Sequence, residues 1–165
     1  MSAKTKLVLV WLAIILISDQ LTKFIVDQSM PLHHSIPVID NLFSLTYIRN
    51  TGAAFGIFAG SAAAFRLPFL ITFSLVAIGF VVAMLRRLPK QETGLITALA
   101  FILGGATGNL IDRFAYGEVI DFLDFYWSGY HWPAFNVADS FITVGVCITV
   151  FNLVKAKGED PFAHR

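Results

Sequence analysis

Two aspartates in apolar surroundings are the residues of this chain most able to do chemistry. Asp121 closes the motif GEVID, and Asp139 follows eighteen residues later in the motif PAFNVADS, where an apolar run begins. A carboxylate at membrane depth costs about 2.5–3.5 kcal/mol to insert, so each one marks a candidate functional site. Two carboxylates that the intervening turn brings to one membrane face could share a proton and activate a water molecule.

Four apolar stretches must position these aspartates. Of the 165 residues, 56% are hydrophobic and 14% are charged, which excludes an ordinary soluble domain. The stretches 67–85 and 94–111 contain no charge, and each approaches the roughly 20 residues that cross a bilayer core. We therefore predict one polytopic domain, residues 1–165, of an all-α membrane protein with four transmembrane helices. Their approximate spans are 7–26, 67–86, 94–112 and 135–155, with outer segments at 27–66 and 113–134.

The first apolar stretch has a secretory signal peptide as its alternative interpretation, because Lys4 and Lys6 precede the run from Leu7 to Ile17. It lacks a small-x-small cleavage site, however, and it continues past Ser18 into a second apolar patch. We predict a retained membrane helix.

The basic residues predict the orientation of the chain. With four spans, both termini lie on the same side of the membrane. That side carries eight of the twelve Lys and Arg residues: Lys4, Lys6, Arg86, Arg87, Lys90, Lys155, Lys157 and Arg165. The positive-inside rule places this side in the cytoplasm, so the two aspartates face outward.

The first outer segment is too long for a plain connection. It contains strand-like alternation over 36–39 and 42–48, then a turn at 50–52 that the run 53–58 follows. We predict a small curved sheet on the outer membrane surface, where a sheet can satisfy its own backbone hydrogen bonds.

The second outer segment, 116–133, is rich in aromatic residues, which favour the membrane–water interface. We predict a short interfacial helix and loop there. On such a helix Asp121 and Asp124 share one face, and Asp124 is the more solvated acid because it lies farther into the aromatic segment. Spacing alone favours Asp121 only slightly.

Two Asn/Asp pairs lie near the outer ends of the last two spans. Asn109 precedes Asp112 by three residues and Asn136 precedes Asp139 by three, so each pair shares one helical face. An unpaired amide at Asn109 would be costly in lipid, which favours a role for it. For Asp112 beside Arg113, a simple interfacial charge pair is the alternative.

A third polar cluster, Asp19, Gln20 and Lys23, lies in the first span. Its alternative interpretation is an intrahelical ion pair between Asp19 and Lys23 at i, i+4. In the third span, the small residues of 104–108 predict a face that allows close helix approach.

The sequence offers little for metal, thiol or nucleic-acid chemistry. Cys147 is the single cysteine, and we predict that it packs deep inside the last span. His33, His34, His131 and His164 form no helical pair and no Cys/His cluster. The net charge of +1 gives no case for a nucleic-acid partner. We expect no metal and no cofactor.

A proton-coupled transporter or channel subunit is the alternative from another functional class. Intramembrane Asp and Asn side chains can form a proton relay in such proteins. Here the acids cluster toward one face, and no polar file continues to the cytoplasm through the charge-free second span. The residues alone leave membrane hydrolase and transporter as open alternatives.

Five motifs follow one another along the chain: SDQLTK (18–23), RNTGAAF (49–55), GGATGNLIDR (104–113), GEVIDF (117–122) and PAFNVADS (133–140). Together they resemble the lipoprotein signal peptidase (signal peptidase II) family, aspartyl proteases of the bacterial inner membrane. They occur in the order and at the spacing of that family and cover nearly the whole chain.

The resemblance implies a specific set of site residues. The family's catalytic aspartates fall on Asp121 and Asp139 rather than on Asp124. The supporting polar residues fall on Asp19, Lys23, Asn50, Asn109, Asp112, Arg113 and Asn136. For Asn50 the alternative is that it only forms a turn, since Asn tolerates positive φ.

The resemblance also implies a reaction and a location. The family removes the signal peptide of a diacylglyceryl-modified prolipoprotein by cleaving just before the lipidated cysteine, without metal or cofactor. The active site would lie near the periplasmic face of the inner membrane, with both termini cytoplasmic and the sheet periplasmic. The partners would be the substrate and membrane lipid, and we expect a monomer.

Overall fold

Four long helices form most of the protein, whose computed structural model describes residues 1–52 and 62–158, with side chains as far as Lys155. The predicted run 53–58, including the end of the RNTGAAF motif, lies outside the described residues, as does the tail after 158. The helices are α1 (Ala3–Ser29), α2 (Ala63–Arg87), α3 (Thr93–Tyr116) and α4 (Val137–Gly158). Each of them is long and apolar enough to cross a membrane, so the prediction of four such helices is confirmed.

Helix α3 lies at the centre of the helical part and packs against α1, α2 and α4. A Cβ atom added at Gly104 would lie 2.9 Å from the Ile15 side chain of α1, and one at Gly108 would lie 2.6 Å from Asp19 Oδ2. Small residues allow helix backbones to approach closely where lipid removes the usual hydrophobic drive. The predicted small-residue face is confirmed, and it brings the polar residues of α1 against α3.

A four-stranded antiparallel sheet packs on one end of the helices. Its strands are β1 (Ser35–Ile39), β2 (Phe43–Asn50), β3 (Val119–Trp127) and β4 (Tyr130–His131), in the order β1-β2-β3-β4. The predicted alternation in the first outer segment is thus confirmed as β1 and β2. Five buried apolar side chains join the sheet to the end of α1: Val26, Met30, Tyr47, Ile120 and Phe122.

Strand β2 contains a bulge beside the first candidate aspartate. Leu45 pairs with Leu123 and Ile48 pairs with Asp121, so β2 advances three residues where β3 advances two. The extra residue leaves both Thr46 and Tyr47 opposite a single residue of β3, and both side chains are buried. A bulge increases local twist and re-aims neighbouring side chains, which is why bulges recur beside functional sites.

The predicted interfacial helix in the segment 116–133 is wrong. Helix α3 ends at Tyr116, Gly117 takes a left-handed φ of 75°, and the chain then runs as β3 and β4. The sequence VIDFLDFYW is rich in β-branched and aromatic residues, and β2 supplies a partner strand for it. In a strand, residues three apart point to opposite faces, so Asp121 and Asp124 do not share a face.

The prediction that Cys147 packs deep inside the last span is also wrong. Cys147 is exposed on α4, beside the exposed side chains of Val144, Val146 and Val150. Helix α4 packs on α3 through its opposite side, where Gly145 lies against the Ala98 carbonyl. The cysteine therefore lies on the apolar outer surface of the helices.

Candidate active site

Asp121 and Asp139 line the same cavity, which has a volume of about 520 Å³. Asp121 lies in β3 and is only 2% exposed, whereas Asp139 lies in the first turn of α4. Sheet and helix thus supply one carboxylate each. Three further predicted site residues line the cavity with them: Asn50, Asn109 and Arg113.

The Asn136 side chain connects the two aspartates. Its Nδ2 donates to Asp121 Oδ1 over 2.8 Å, and its Oδ1 accepts the backbone N–H of Asp139 over 2.9 Å. Asp139 Oδ2 in turn accepts the backbone N–H of Asn136 over 3.3 Å. This reciprocal pair is a capping box at the start of α4, so the bonds that begin the helix also fix Asp139 relative to Asp121.

Asp121 holds a proton far more tightly than an ordinary carboxyl. Burial, and next the negative charge of Asp139, raise the pKa of Asp121 to about 7. Hydrogen bonds to its ionised form act in the opposite direction, from Asn136 and from Asn50 Nδ2, which donates to Asp121 Oδ2 over 2.9 Å. The pair of carboxylates therefore retains one proton up to about neutral pH.

Asn109 holds Asp139 from the side of α3. Its Nδ2 donates to Asp139 Oδ1 over 2.7 Å, while its Oδ1 accepts from Lys23 Nζ over 2.9 Å and from Asn136 Nδ2 over 3.2 Å. Two donors at Oδ1 determine the orientation of the amide, so its NH₂ group must face Asp139.

Lys23 lies between two carboxylates, those of Asp19 and Asp112. Its Nζ is 2.8 Å from both Asp19 Oδ2 and Asp112 Oδ2, and all three side chains are at most 2% exposed. The intrahelical Asp19–Lys23 pair of the alternative interpretation therefore exists, but as part of a network between α1 and α3. Asp19 Oδ1 also accepts the backbone N–H of Ala138 over 2.9 Å, which ties α4 to the same network.

Gln20 belongs to this network, although it was absent from the predicted site residues. Its Nε2 donates to Asp112 Oδ1 over 2.9 Å and lies 3.1 Å from Asp19 Oδ2. Its position between Asp19 and Lys23 in the first polar cluster was the available signal. Asp112 thus pairs with α1 and not with Arg113, so the alternative of a simple interfacial pair is wrong.

Arg113 and Asn50 both contact Gly52, which follows the end of β2. Arg113 donates to the carbonyls of Asn109, over 3.2 Å, and Gly52, over 3.3 Å. Asn50 Oδ1 accepts the backbone N–H of Gly52 over 2.9 Å, while its Nδ2 donates to Asp121. Asn50 therefore shapes the turn and contacts the candidate aspartate at once, so its two predicted roles are compatible.

Asp124 is separate from this site. The residue is 7% exposed, and its carboxylate lies 2.9 Å from His131 Nδ1 across the β3–β4 hairpin, outside the cavity lining. The expectation of a solvated acid is therefore wrong, because the hairpin covers this side chain.

The arrangement suits acid–base chemistry on a bound water. An ionised carboxylate can take a proton from water while a protonated neighbour polarises a carbonyl. Among residues 1–52 and 62–158, no group of three His, Cys, Asp or Glu side chains is placed to hold a metal ion.

The matching family model and the curated relatives agree on one family. A family model described as signal peptidase (SPase) II matches residues 11–155. The lipoprotein signal peptidase of Geobacter sulfurreducens is 53% identical, over 85% of this chain and 86% of its own length. That of Nitratidesulfovibrio vulgaris is 41% identical over 100% of this chain and 97% of its own. A solved structure described as a bacterial membrane enzyme superposes with a TM-score of 0.86 at 30% identity, covering 96% of this chain and 93% of the other.

Proposed function

The chain belongs to the signal peptidase II family of aspartic peptidases, and we propose that Asp121 and Asp139 are its catalytic pair. It is a multi-pass bacterial membrane protein that removes signal peptides from prolipoproteins. Membership of this family sets the transporter alternative aside. The observation that carries the proposal is that both carboxylates line one cavity and are joined through Asn136.

In the proposed reaction the pair works with one shared proton. The ionised carboxylate takes a proton from a water held between the two, and the resulting hydroxyl attacks the scissile carbonyl carbon. The protonated carboxyl gives its proton to the carbonyl oxygen, forming a tetrahedral diol. Collapse of the diol breaks the C–N bond, and the proton taken from water passes to the leaving nitrogen. One hydroxyl proton of the diol returns to the carboxylate that had protonated the carbonyl oxygen, so the pair again holds one proton. The two carboxyls titrate as a unit, and the pKa of about 7 at Asp121 supports a retained proton.

We propose the diacylglyceryl-modified cysteine as the group just after the scissile bond. Apolar and aromatic side chains, including Trp132, Phe135, Ile142 and Val144, line the cavity beside the aspartates. Val144 is 47% exposed on α4, so this side of the cavity opens toward the surface that lipid would cover. A lipidated cysteine could then reach the pair without leaving the membrane.

Purified protein incubated with a diacylglyceryl-modified prolipoprotein is expected to release the signal peptide. Release is followed by the mass of the product, and the matched unmodified precursor serves as the control. Equal cleavage of both precursors contradicts the lipid requirement, and cleavage of neither contradicts the function.

Reporter fusions test the proposed orientation, in which both termini are cytoplasmic and the sheet and cavity lie on the periplasmic side. Eight of twelve basic residues support this orientation. Fusions after residue 157 and within 31–39 are expected to report opposite compartments. The same compartment for both positions would refute it.

A further inference from the structure

Three side chains outside the cavity form a closed hydrogen-bonded group, here called the Arg49 cluster: Asp27, Tyr47 and Arg49. Arg49 Nη2 lies 2.5 Å from Asp27 Oδ1, and Arg49 Nε donates to the Tyr47 hydroxyl over 2.7 Å. The Tyr47 hydroxyl donates to the same Asp27 oxygen. Burial raises the pKa of Tyr47, so its phenol remains a proton donor.

The cluster joins three elements of the fold. Asp27 lies near the end of α1, and Tyr47 and Arg49 belong to β2. The Arg49 guanidinium carbon lies 4.7 Å from the ring centroid of Tyr116, the last residue of α3, and 5.4 Å from that of Tyr47. A planar guanidinium can bond a carboxylate and stack on rings at once, which a lysine ammonium cannot reproduce.

In the described part of the chain the cluster does not line the cavity, whereas Asn50, the residue after Arg49, does. Asn50 is the last residue of β2, pairs with Val119 and donates to Asp121 Oδ2. The end of a strand is where pairing frays most easily, so the position of the Asn50 amide depends on what holds the backbone beside it. Arg49 is that neighbouring residue, and its side chain is held by α1 and α3.

We propose that Arg49 is a positioning residue: by fastening the end of β2 to α1 and α3, it holds the Asn50 amide against Asp121. The inference rests on the proposed function, since it concerns the same pair of aspartates. Small misplacements of groups around a reacting centre reduce rates steeply, so Arg49 affects cleavage without touching substrate.

The pH dependence of cleavage separates positioning from simple stability. The Asn50 bond favours the ionised form of Asp121, so its loss raises the pKa of Asp121 further above about 7. Activity that needs one retained proton then persists to higher pH, so the alkaline limb of the pH profile of kcat moves to higher pH. The other charged groups acting on Asp121 are unchanged by a substitution at Arg49: Asp139 of α4, Lys23 of α1 and Arg113 of α3.

The test compares Arg49→Lys with Asn50→Gly and with Arg87→Met, which removes an exposed cation from the far end of α2. Arg49→Lys is expected to lower kcat by about tenfold and to move the alkaline limb in the same direction as Asn50→Gly. The double variant is expected to be no slower than Asn50→Gly alone, because coupled residues are not additive. Arg87→Met changes neither quantity.

A second variant, Tyr116→Leu, removes only the stacked ring and keeps the test informative if Arg49→Lys folds poorly. It is expected to shift the same limb by a smaller amount. A lower melting temperature with an unmoved alkaline limb in both variants overturns the proposal. Asp121→Asn is assayed in parallel: if that variant cleaves normally, the proposed catalytic pair fails instead.

Discussion

Asp121→Asn and Asp139→Asn are each expected to abolish signal-peptide cleavage while the protein remains folded and inserted. An asparagine amide can neither take a proton from water nor hold one for the carbonyl, so each variant removes one half of the proposed chemistry. Acid–base catalysis by one positioned group contributes about 10²–10⁴-fold, so we expect at least a loss of that order in kcat. The measurement is the initial rate with a lipid-modified precursor, normalised to folded protein.

Asp124→Asn is the matched control for these variants. Asp124 is buried in the same strand as Asp121 but bonds to His131, outside the cavity. The amide oxygen of the variant can still accept that hydrogen bond, so activity is expected to stay near the parent value. Near-normal turnover in Asp121→Asn or Asp139→Asn contradicts the assignment, and a dead Asp124→Asn contradicts the separation of the two sites.

The stability of Asp121→Asn supplies an independent check that its loss of activity is chemical. The pKa of Asp121 rises from the ordinary 3.8 to about 7 on folding, so the folded state binds the proton more tightly. This contribution to stability is complete below the unfolded pKa and is lost as pH rises through the folded one. The uncharged variant has no such loss. Its melting temperature relative to the parent is therefore expected to be higher at about pH 8 than at about pH 4.

Composition was enough to predict the four helices, and alternation was enough to predict β1 and β2. Strand β3 is wrongly predicted as a helix because its aromatic residues suit a membrane interface in either conformation. Its partner strand, β2, is also far away in the sequence, about 70 residues earlier. No local pattern reveals such a partner. The wrong helix prediction also affected Asp124. A helix would place Asp121 and Asp124 on one face, whereas the strand that pairs with β2 places them on opposite faces.

The site was predicted in part, and the contacts that were not predicted all join different elements of the fold. The i, i+4 spacing predicted the Asp19–Lys23 pair, but the third member, Asp112, reaches Lys23 only because α1 and α3 approach closely at Gly108. Gln20 and Arg49 act through residues of other elements in the same way. Likewise, the length of α4 predicts a span but does not say which side faces α3, which is why Cys147 was misplaced.

Lys23→Met is expected to destabilise the protein by about 3–5 kcal/mol, because it leaves two buried carboxylates without their cation. Asp19 and Asp112 are 0% and 1% exposed, and each lies 2.8 Å from Lys23 Nζ. Methionine fills similar space without a charge, so the change isolates electrostatics from packing. Thermal unfolding in detergent is the measurement. Lys6→Met, an exposed position of the same helix, is the matched control and is expected to melt as the parent does.

The same substitution is expected to reduce cleavage in the molecules that remain folded. Lys23 is one of two donors that orient the Asn109 amide, whose NH₂ group bonds Asp139. Without that donor the amide can rotate, and Asp139 loses a partner that holds it in place. The effect on kcat should therefore exceed the effect on KM, since the residue acts on the reacting pair and not on the cavity walls.

Adding Asp112→Asn to Lys23→Met tests the charge effect, although it also removes the oxygen that accepts the Ile120 backbone N–H. The parent cluster holds two carboxylates and one ammonium, a net charge of −1. Lys23→Met makes it −2, and the second substitution restores −1 while keeping an oxygen for the Gln20 bond. Stability is expected to recover in large part, whereas cleavage stays low because the Asn109 amide still lacks its donor. Full recovery of stability and cleavage in the double variant would mean that Lys23 serves only to neutralise charge. A parent-like melting temperature for Lys23→Met alone would mean that neutralisation by Lys23 does not stabilise the protein.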